Sequence, residues 1–529
     1  MTTTLKTEQE WKPKNNPWIA TIPIVLAAFM YALEGTIANV ALPHMAGSFS
    51  ATRDESMWIL TSYLIAGGIA IPMVDWFSKL FGRKNFFMIS ILVFTIASLL
   101  CGMATNMGMM IFSRILQGFG GGSIIPLSQA ILLESFPKEQ RTRAMSLFGL
   151  GVIIAPIAGP VLGGWITDNW SWPWIFFINV PVGCFAILMA NKLLEDPPYA
   201  RRQKNVKVDG KGFFFLVGWL VSLQIVLDKG NNADWFNADW IRNLFIVSVI
   251  FGIFFFYSQF KNKDSLVDLS VFKDKNFTSG TIIQVIMQAV LYASLAILPQ
   301  FLQGMMGYTA FLSGISMMPR GLGSLTAIIL CGIIGNRVKG KILVALGLLC
   351  LGSASLTFGF LNLQISSINI MIPNYFMGMG MGLAMIPIIA LSVETLKNEQ
   401  MTNASGLQNL LKNIGAAIGT SLVATMLTRY AQVHQHMMVG KLSELNPVFV
   451  TKAQALAGSF SQLTEASVAQ YMAYTTLYKQ LLQQASLWAF MDAFRVFGLL
   501  CFAVIPLLLL IKAGKKPSSD DGSSAAMMH

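Results

Sequence analysis

Glu34 stands in the first long apolar stretch of the chain, Tyr31-Ala-Leu-Glu34-Gly-Thr-Ile-Ala-Asn39-Val-Ala-Leu-Pro43. An ionisable side chain kept inside a membrane span is expensive and is read first as a functional group. Low dielectric disfavours the charged form of a carboxylate, and a cation close by favours it. Arg114 stands in another apolar stretch, with Gln117 one turn later. Together Glu34 and Arg114 have the chemistry of a tunable proton site; an ion pair that only ties two helices is the structural alternative. Other chemistry finds no residues: no His/Asp/Ser cluster or metal-ligand set occurs in the loops, and no Gly-rich phosphate loop with Lys and Ser or Thr. His434-Gln-His436 offers two ligands only and is expected to be solvated. An enzyme and an ATPase are both set aside.

The elements that must hold such a pair are membrane spans. Of the 529 residues 54% are hydrophobic and 12% charged, about half the charged fraction of an ordinary soluble domain. Windows of roughly 20 apolar residues, the length that crosses a bilayer, fall at 17–42, 57–76, 86–105, 108–133, 144–167, 172–191, 212–228, 240–260, 278–299, 309–334, 342–362, 367–391, 402–428 and 486–511. Fourteen spans are therefore expected, and the first, with no small-residue cleavage site, is expected to stay as a helix. With the N-terminus inside, 27 of the 37 Lys and Arg lie on the inner side, Lys397 and Lys412 among them. Seven lie outside (Arg53, Lys229, Arg242, Arg429, Lys441, Lys452 and Lys479) and three within spans (Arg114, Arg320 and Arg495). This bias puts both termini in the cytoplasm. The same dispersal over short loops argues that the net charge of +12 serves topology and not nucleic acid. Cys101, Cys184, Cys331, Cys350 and Cys501 all fall in spans without close pairing and read as small core residues.

A repeat divides the chain. Asp75-Trp-Phe-Ser-Lys79-Leu-Phe-Gly82-Arg83-Lys84 follows the second span, and Gly335-Asn-Arg337-Val-Lys339-Gly-Lys341 follows the tenth. Arg143-Ala-Met-Ser-Leu leads into a Gly-rich fifth span, and Asn403-Ala-Ser-Gly-Leu into a Gly-rich thirteenth. Two repeated six-helix halves are the architecture of a rocking transporter. The expected organisation is a tail at 1–16, a bundle at 17–191, a linker at 192–211, two inserted helices at 212–260, a linker at 261–277, a second bundle at 278–511 and a tail at 512–529. The first linker, with Pro197-Pro198 and six basic residues, is expected to lie on anionic lipid. Within the second bundle an external segment, 429–485, carries apolar residues at helical spacing (Val468, Tyr471, Met472, Tyr474, Leu477, Leu481 and Leu482) and a break at Asn446-Pro447.

These motifs add up to a family. Over nearly its whole length the chain resembles the fourteen-span drug/proton antiporter branch of the major facilitator superfamily, and within it the inner-membrane subunits of tripartite efflux pumps. Leu33-Glu34-Gly-Thr36-Ile-Ala-Asn39-Val-Ala-Leu-Pro43 resembles the acidic first-helix motif, where the family usually has Asp. Asp75 to Lys84 resembles motif A, Arg114-Ile-Leu-Gln117-Gly118 motif B, and Gly151-Val-Ile-Ile-Ala-Pro156-Ile-Ala-Gly159-Pro160-Val-Leu-Gly163-Gly164 the antiporter motif C. Leu227-Asp228-Lys-Gly230-Asn-Asn-Ala-Asp234-Trp235-Phe236 is similar to the signature of the fourteen-span branch, and Leu302-Gln303-Gly304-Met-Met-Gly307-Tyr308 and Gly406-Leu407-Gln408-Asn409 also match.

The resemblance implies an all-α major facilitator fold, an inner-membrane location and no cofactor beyond a proton gradient. It implies a proton-coupled exporter of hydrophobic or amphipathic drugs that works by alternating access; a symporter, or an exporter of one metabolite, is the alternative. Glu34 and Arg114 would couple the proton. Asp75, Gly82, Arg83 and Lys84, with Arg141 and Arg143 of the next loop, would form a cytoplasmic gate. Gly151, Pro156, Gly159, Pro160, Gly163 and Gly164 would allow close approach and bending of the fifth span. Met377-Gly378-Met-Gly380-Met-Gly382 reads as a second close-packing stripe. Sparse polar groups within spans, Asn39, Gln117, Gln129, Gln284, Gln288, Tyr292, Asn409 and Asn413, are the candidate cavity residues. A periplasmic adaptor and an outer-membrane channel are the implied partners, with 429–485 as the docking candidate.

Overall fold

The computed structural model describes residues 14–136, 138–197, 209–261, 269–334, 338–396 and 401–511. Among these the regular secondary structure is entirely helical. In the first bundle Asn16 caps α1 (Pro17–Ser48) by accepting a hydrogen bond from the Trp18 amide at 3.0 Å, with Pro17 at the first helical position. A single turn, α2 (Arg53–Ser56), precedes α3 (Trp58–Phe81), and Gly82 at φ +83° turns the chain into α4 (Arg83–Gly102). That positive φ is a conformation other residues adopt at a cost. Asn106 caps α5 (Met107–Gly122), which continues after Ser123 as α6 (Ile124–Ser135). Then come α7 (Lys138–Asn169), α8 (Trp174–Phe177) and α9 (Asn179–Leu193).

The inserted pair is α10 (Gly210–Lys229) and α11 (Asp239–Lys261). The second bundle runs through α12 (Lys275–Gly304), α13 (Ala310–Met317), α14 (Pro319–Ile334), α15 (Gly340–Phe358), α16 (Ser367–Val393), α17 (Met401–Val439), α18 (Pro447–Phe460) and α19 (Ala466–Ala503). Its packing repeats that of the first. α1 packs on α7 as α12 does on α17, α3 on α5 as α14 on α16, and α4 on α9 as α15 on α19.

Each of the fourteen apolar windows falls on helix. Among the described residues twelve helices are long and apolar enough to cross a membrane, or thirteen if α7, bent by 44° near Pro156, is taken as one span. The window at 57–76 falls on α3, Trp58–Phe81, of which Trp58–Val74 is apolar. The bend has a local cause: Pro160 has no N–H to give to the carbonyl one turn earlier.

Two expectations are corrected. Lys412, counted with the inner loops, lies well inside α17, because that helix starts at Met401. Cys184 is exposed and not a core residue, since it lies on the outward face of α9. The segment 429–485 is helical as its spacing predicts: α17 continues to Val439, α18 starts after a break at Asn446-Pro447, and α19 runs unbroken from Ala466 into the last apolar window.

Candidate functional site

Six helices of the first bundle converge on Glu34. Arg114 Nη1 of α5 donates to Glu34 Oε1 at 2.5 Å, and Asn179 Nδ2 of α9 donates to Oε2 at 2.6 Å. Arg114 also donates through Nη1 to Gln117 Oε1 at 2.7 Å and through Nε to the Ile59 carbonyl of α3 at 3.1 Å. Its guanidinium sits between the rings of Tyr63 (α3) and Phe176 (α8), 5.0 Å from each centroid. Gln117 Nε2 donates to Ser98 Oγ of α4 at 2.7 Å. Glu34 is 1% exposed and Arg114 0%. A buried charge pair is stabilised when its remaining lone pairs and protons find partners; here the carboxylate has one donor on each oxygen, while Arg114 Nη2 is buried without a hydrogen-bond partner among the described residues.

Helix rise places the pair along its helices. Glu34 lies 17 residues into α1, about 25 Å from its N-terminal end, and Arg114 seven residues into α5, about 10 Å from its N-terminal end. Around them Leu33, Ile37, Ala41, Cys101, Met110 and Phe176 form a buried apolar shell.

The glycines of α7 bring that helix onto α1. A Cβ on Gly151 would lie 2.7 Å from Val25, one on Gly163 2.8 Å from Ile37, and one on Gly159 would collide with Thr36, two residues from Glu34. Pro156 is half-buried, and Pro160 and Gly164 are buried. On its other side α7 meets the second bundle, where a Cβ on Gly314 of α13 would stand 3.1 Å from the Pro160 backbone. The helix packed over this part of α1 thus also touches the opposite bundle. Beside the site Tyr63 donates to the Tyr31 carbonyl at 3.2 Å, and the two rings lie 5.9 Å apart.

The other expected residues are dispersed. Gly82 and Lys84 sit at the α3–α4 turn, where the Lys84 amide donates to Asp196 at 2.7 Å and its Nζ to the Asn191 carbonyl at 2.6 Å, tying the turn to the end of α9. Arg83 opens α4. The side chains of Asp75, Arg141 and Arg143 lie outside the described residues, and so does most of the counterpart turn, 335–337.

Of the cavity candidates, Gln117 belongs to the Arg114 cluster, and Gln284, fully buried, donates to Ser392, which also accepts from Gln408 at 2.9 Å. Both amides meet neighbouring helices because their helices pack closely there. Gln129, Gln288, Tyr292, Asn409 and Asn413 are partly exposed and Asn39 is exposed. His434 is not left to water: it contacts Asp492 of α19 at 2.8 Å, and Asp492 also holds Arg495. Met377 accepts from Arg320, and Gly378 and Gly382 pack on α14 while Gly380 packs on α15. Among the described residues no group of three His, Cys, Asp or Glu is placed to hold a metal.

Sequence reasoning missed Asn179, Asn374 and Lys412. The same signal that found Asn39, a polar residue inside an apolar window, applied to each. Asn374 Oδ1 accepts from Arg320 Nη2 at 2.9 Å and Nε at 3.2 Å, and Ser294 Oγ accepts from Nη1 at 3.0 Å.

The segment at 227–236 forms the turn between α10 and α11, which is fastened to α17. Trp235 Nε1 donates to Thr425 at 3.2 Å, Asn231 to Thr428 at 3.0 Å, Ser421 to the Leu227 carbonyl, and Arg429 pairs with Asp234. Lys229 lies 5.2 Å from the Trp58 ring of α3.

Comparison with known proteins agrees with this arrangement. Residues 24–420 match the Major Facilitator Superfamily. The chain is 33% identical over 512 residues to the multidrug export protein EmrB of Escherichia coli K12, covering 95% of this chain and 96% of that protein. It is 31% identical to EmrB of Haemophilus influenzae, covering 94% and 96%. The crystal structure of a bacterial homologue of the human lysosomal transporter Spinster, inward-facing and occupied, has the same fold with a TM-score of 0.54 at 16% identity, covering 94% of this chain and 98% of that one. The chain belongs to the Major Facilitator Superfamily, whose members are multi-pass membrane transporters and not enzymes.

Proposed function

We propose that this chain is a proton-coupled exporter of hydrophobic and amphipathic drugs across a bacterial inner membrane. The single observation that carries the reading is a buried, fully partnered carboxylate at Glu34 beneath the helix that reaches the opposite bundle. Two relatives spanning nearly the whole chain are named multidrug export proteins. Facing outward, Glu34 takes a proton and its pair with Arg114 loosens as drug leaves. Facing inward, it loses that proton and the pair reforms as the next drug binds.

With one proton entering per neutral drug, 100 mV supplies about 2.3 kcal/mol and one pH unit about 1.4. Together they sustain a drug gradient of several hundredfold, roughly 3.7 kcal/mol at 1.4 per decade. Asp75 and the α3–α4 turn, with Arg141 and Arg143 in the first turns of α7, are the proposed cytoplasmic gate, and Asn39, Gln117, Gln129, Gln284, Gln288, Tyr292, Asn409 and Asn413 the proposed cavity lining. Fourteen spans with both termini in the cytoplasm are part of the same reading.

The helical segment 429–485 is the proposed dock for a periplasmic adaptor that continues to an outer-membrane channel. What supports this is its exposed apolar side chains, Leu445, Leu463, Tyr471 and Val448 among them, since apolar residues crowded on an exposed face mark interaction sites. The test of coupling is Glu34→Gln, expected to abolish drug efflux driven by an imposed pH gradient while the protein remains in the membrane. Glu34→Asp is expected to retain part of it. Wild-type efflux by the Gln variant in proteoliposomes would overturn the reading.

A further inference from the structure

The interior of the second bundle carries cations without acids. No Asp or Glu occurs from Lys275 to Val393 or from Met401 to Ser443. Arg320 in this region is 4% exposed and is spent on Asn374, Ser294 and Met377. In α19, Asp492 is taken by His434 and Arg495. In the first bundle Glu34 is taken by Arg114 and Asn179. One cation is left over: Lys412, half-buried, makes no hydrogen bond or ion pair among the described residues.

The helix fixes where Lys412 faces. Gly415 and Gly419 form the seam with α12, where they lie against Val285 and Ala289. Going round α17 at about 100° per residue, Ile418 and Leu422, exposed to lipid, lie on one side of that seam. Lys412, Asn409 and Asn413 lie on the other. Further round, Ser421 meets the Leu227 carbonyl of α10. The polar stripe is therefore bracketed by α12 and α10 and turned from the lipid, on a helix that also meets α3 and α6 of the first bundle.

A desolvated ammonium without a counter-ion is costly, and the cost is relieved when an anion arrives. We propose that Lys412 is the specificity-determining cation of the transport cavity and takes the carboxylate of anionic amphiphiles, with Asn409 and Asn413 as further donors and the drug's apolar part against the surrounding side chains. This rests on the exporter reading. A permanently cationic drug finds no free counter-charge in the second bundle and is disfavoured by the fields of Lys412 and Arg320.

The test uses purified full-length protein and two probes with one tail, dodecanoate and dodecyltrimethylammonium. Binding and proton-driven transport of each are measured in phosphatidylcholine vesicles and in vesicles that also contain phosphatidylglycerol. Wild-type protein is expected to prefer dodecanoate, and Lys412→Met to lower the dodecanoate-to-ammonium affinity ratio at least about tenfold, the loss of one charge-assisted hydrogen bond. Lys412→Arg, which keeps the charge, is expected to keep most of the ratio and controls for folding. An unchanged ratio in Lys412→Met overturns the assignment. A change seen only with phosphatidylglycerol assigns Lys412 to a lipid headgroup and also overturns it. Failure of the exporter reading is distinguishable, because wild-type protein would then transport neither probe against a gradient.

Discussion

Asn179 gives the sharpest test of how the site handles its proton. Its Nδ2 donates to Glu34 Oε2 at 2.6 Å, and the residue is 3% exposed. A hydrogen bond to a charged group is worth about 1.5–3 kcal/mol. Asn179→Leu keeps roughly the same volume and removes that donor, so the ionised form of Glu34 loses about this much while the protonated form loses little. At about 1.4 kcal/mol per pH unit, the pH of half-maximal proton-linked drug binding should rise by roughly one to two units. The sign follows from the chemistry: with less to stabilise the carboxylate, the proton is held to higher pH. The assay is drug binding to purified protein across pH, with transport in proteoliposomes at fixed pH gradients alongside. An unchanged or acid-shifted profile in a folded Asn179→Leu protein would refute the argument that this bond sets proton affinity. Glu34→Gln should flatten the profile with or without Asn179→Leu, because one residue then acts only through the other.

Two further outcomes are expected. Gly159→Leu, whose side chain would run into Thr36, should force α7 away from α1, lower the thermal midpoint and cut transport severely, whereas Gly149→Leu, with open space around its Cβ, should do neither; overpacking of a tight interface costs typically about 1–3 kcal/mol. Replacing residues 440–465 with a short Gly/Ser linker should abolish co-purification of a periplasmic adaptor without changing drug binding, and unchanged recovery would remove this segment from the docking surface.

Much of the molecule is legible in the linear sequence. Apolar windows and the two related turns are local properties of the chain, so they name the helices and anticipate the packing that the two bundles share. Glu34 and Arg114 declare themselves in the same way, because a charge in an apolar run is anomalous whatever surrounds it.

Partnership is what only the tertiary structure decides. Asn179, 145 residues from Glu34 in sequence, is one amide among many until α9 packs on α1. Gln117 and Gln284 stand alone in the sequence as polar residues within spans, and neighbouring helices bring Ser98 and Ser392 to them. His434 gains Asp492 by the same route, and Lys412 is singled out because among the described residues no helix brings it an acid. The reason is physical: whether a polar group is bare solubility, glue or chemistry depends on which donors, acceptors and charges share its low-dielectric surroundings. Hydropathy says where a chain enters the bilayer, and packing alone decides what each buried polar atom meets there.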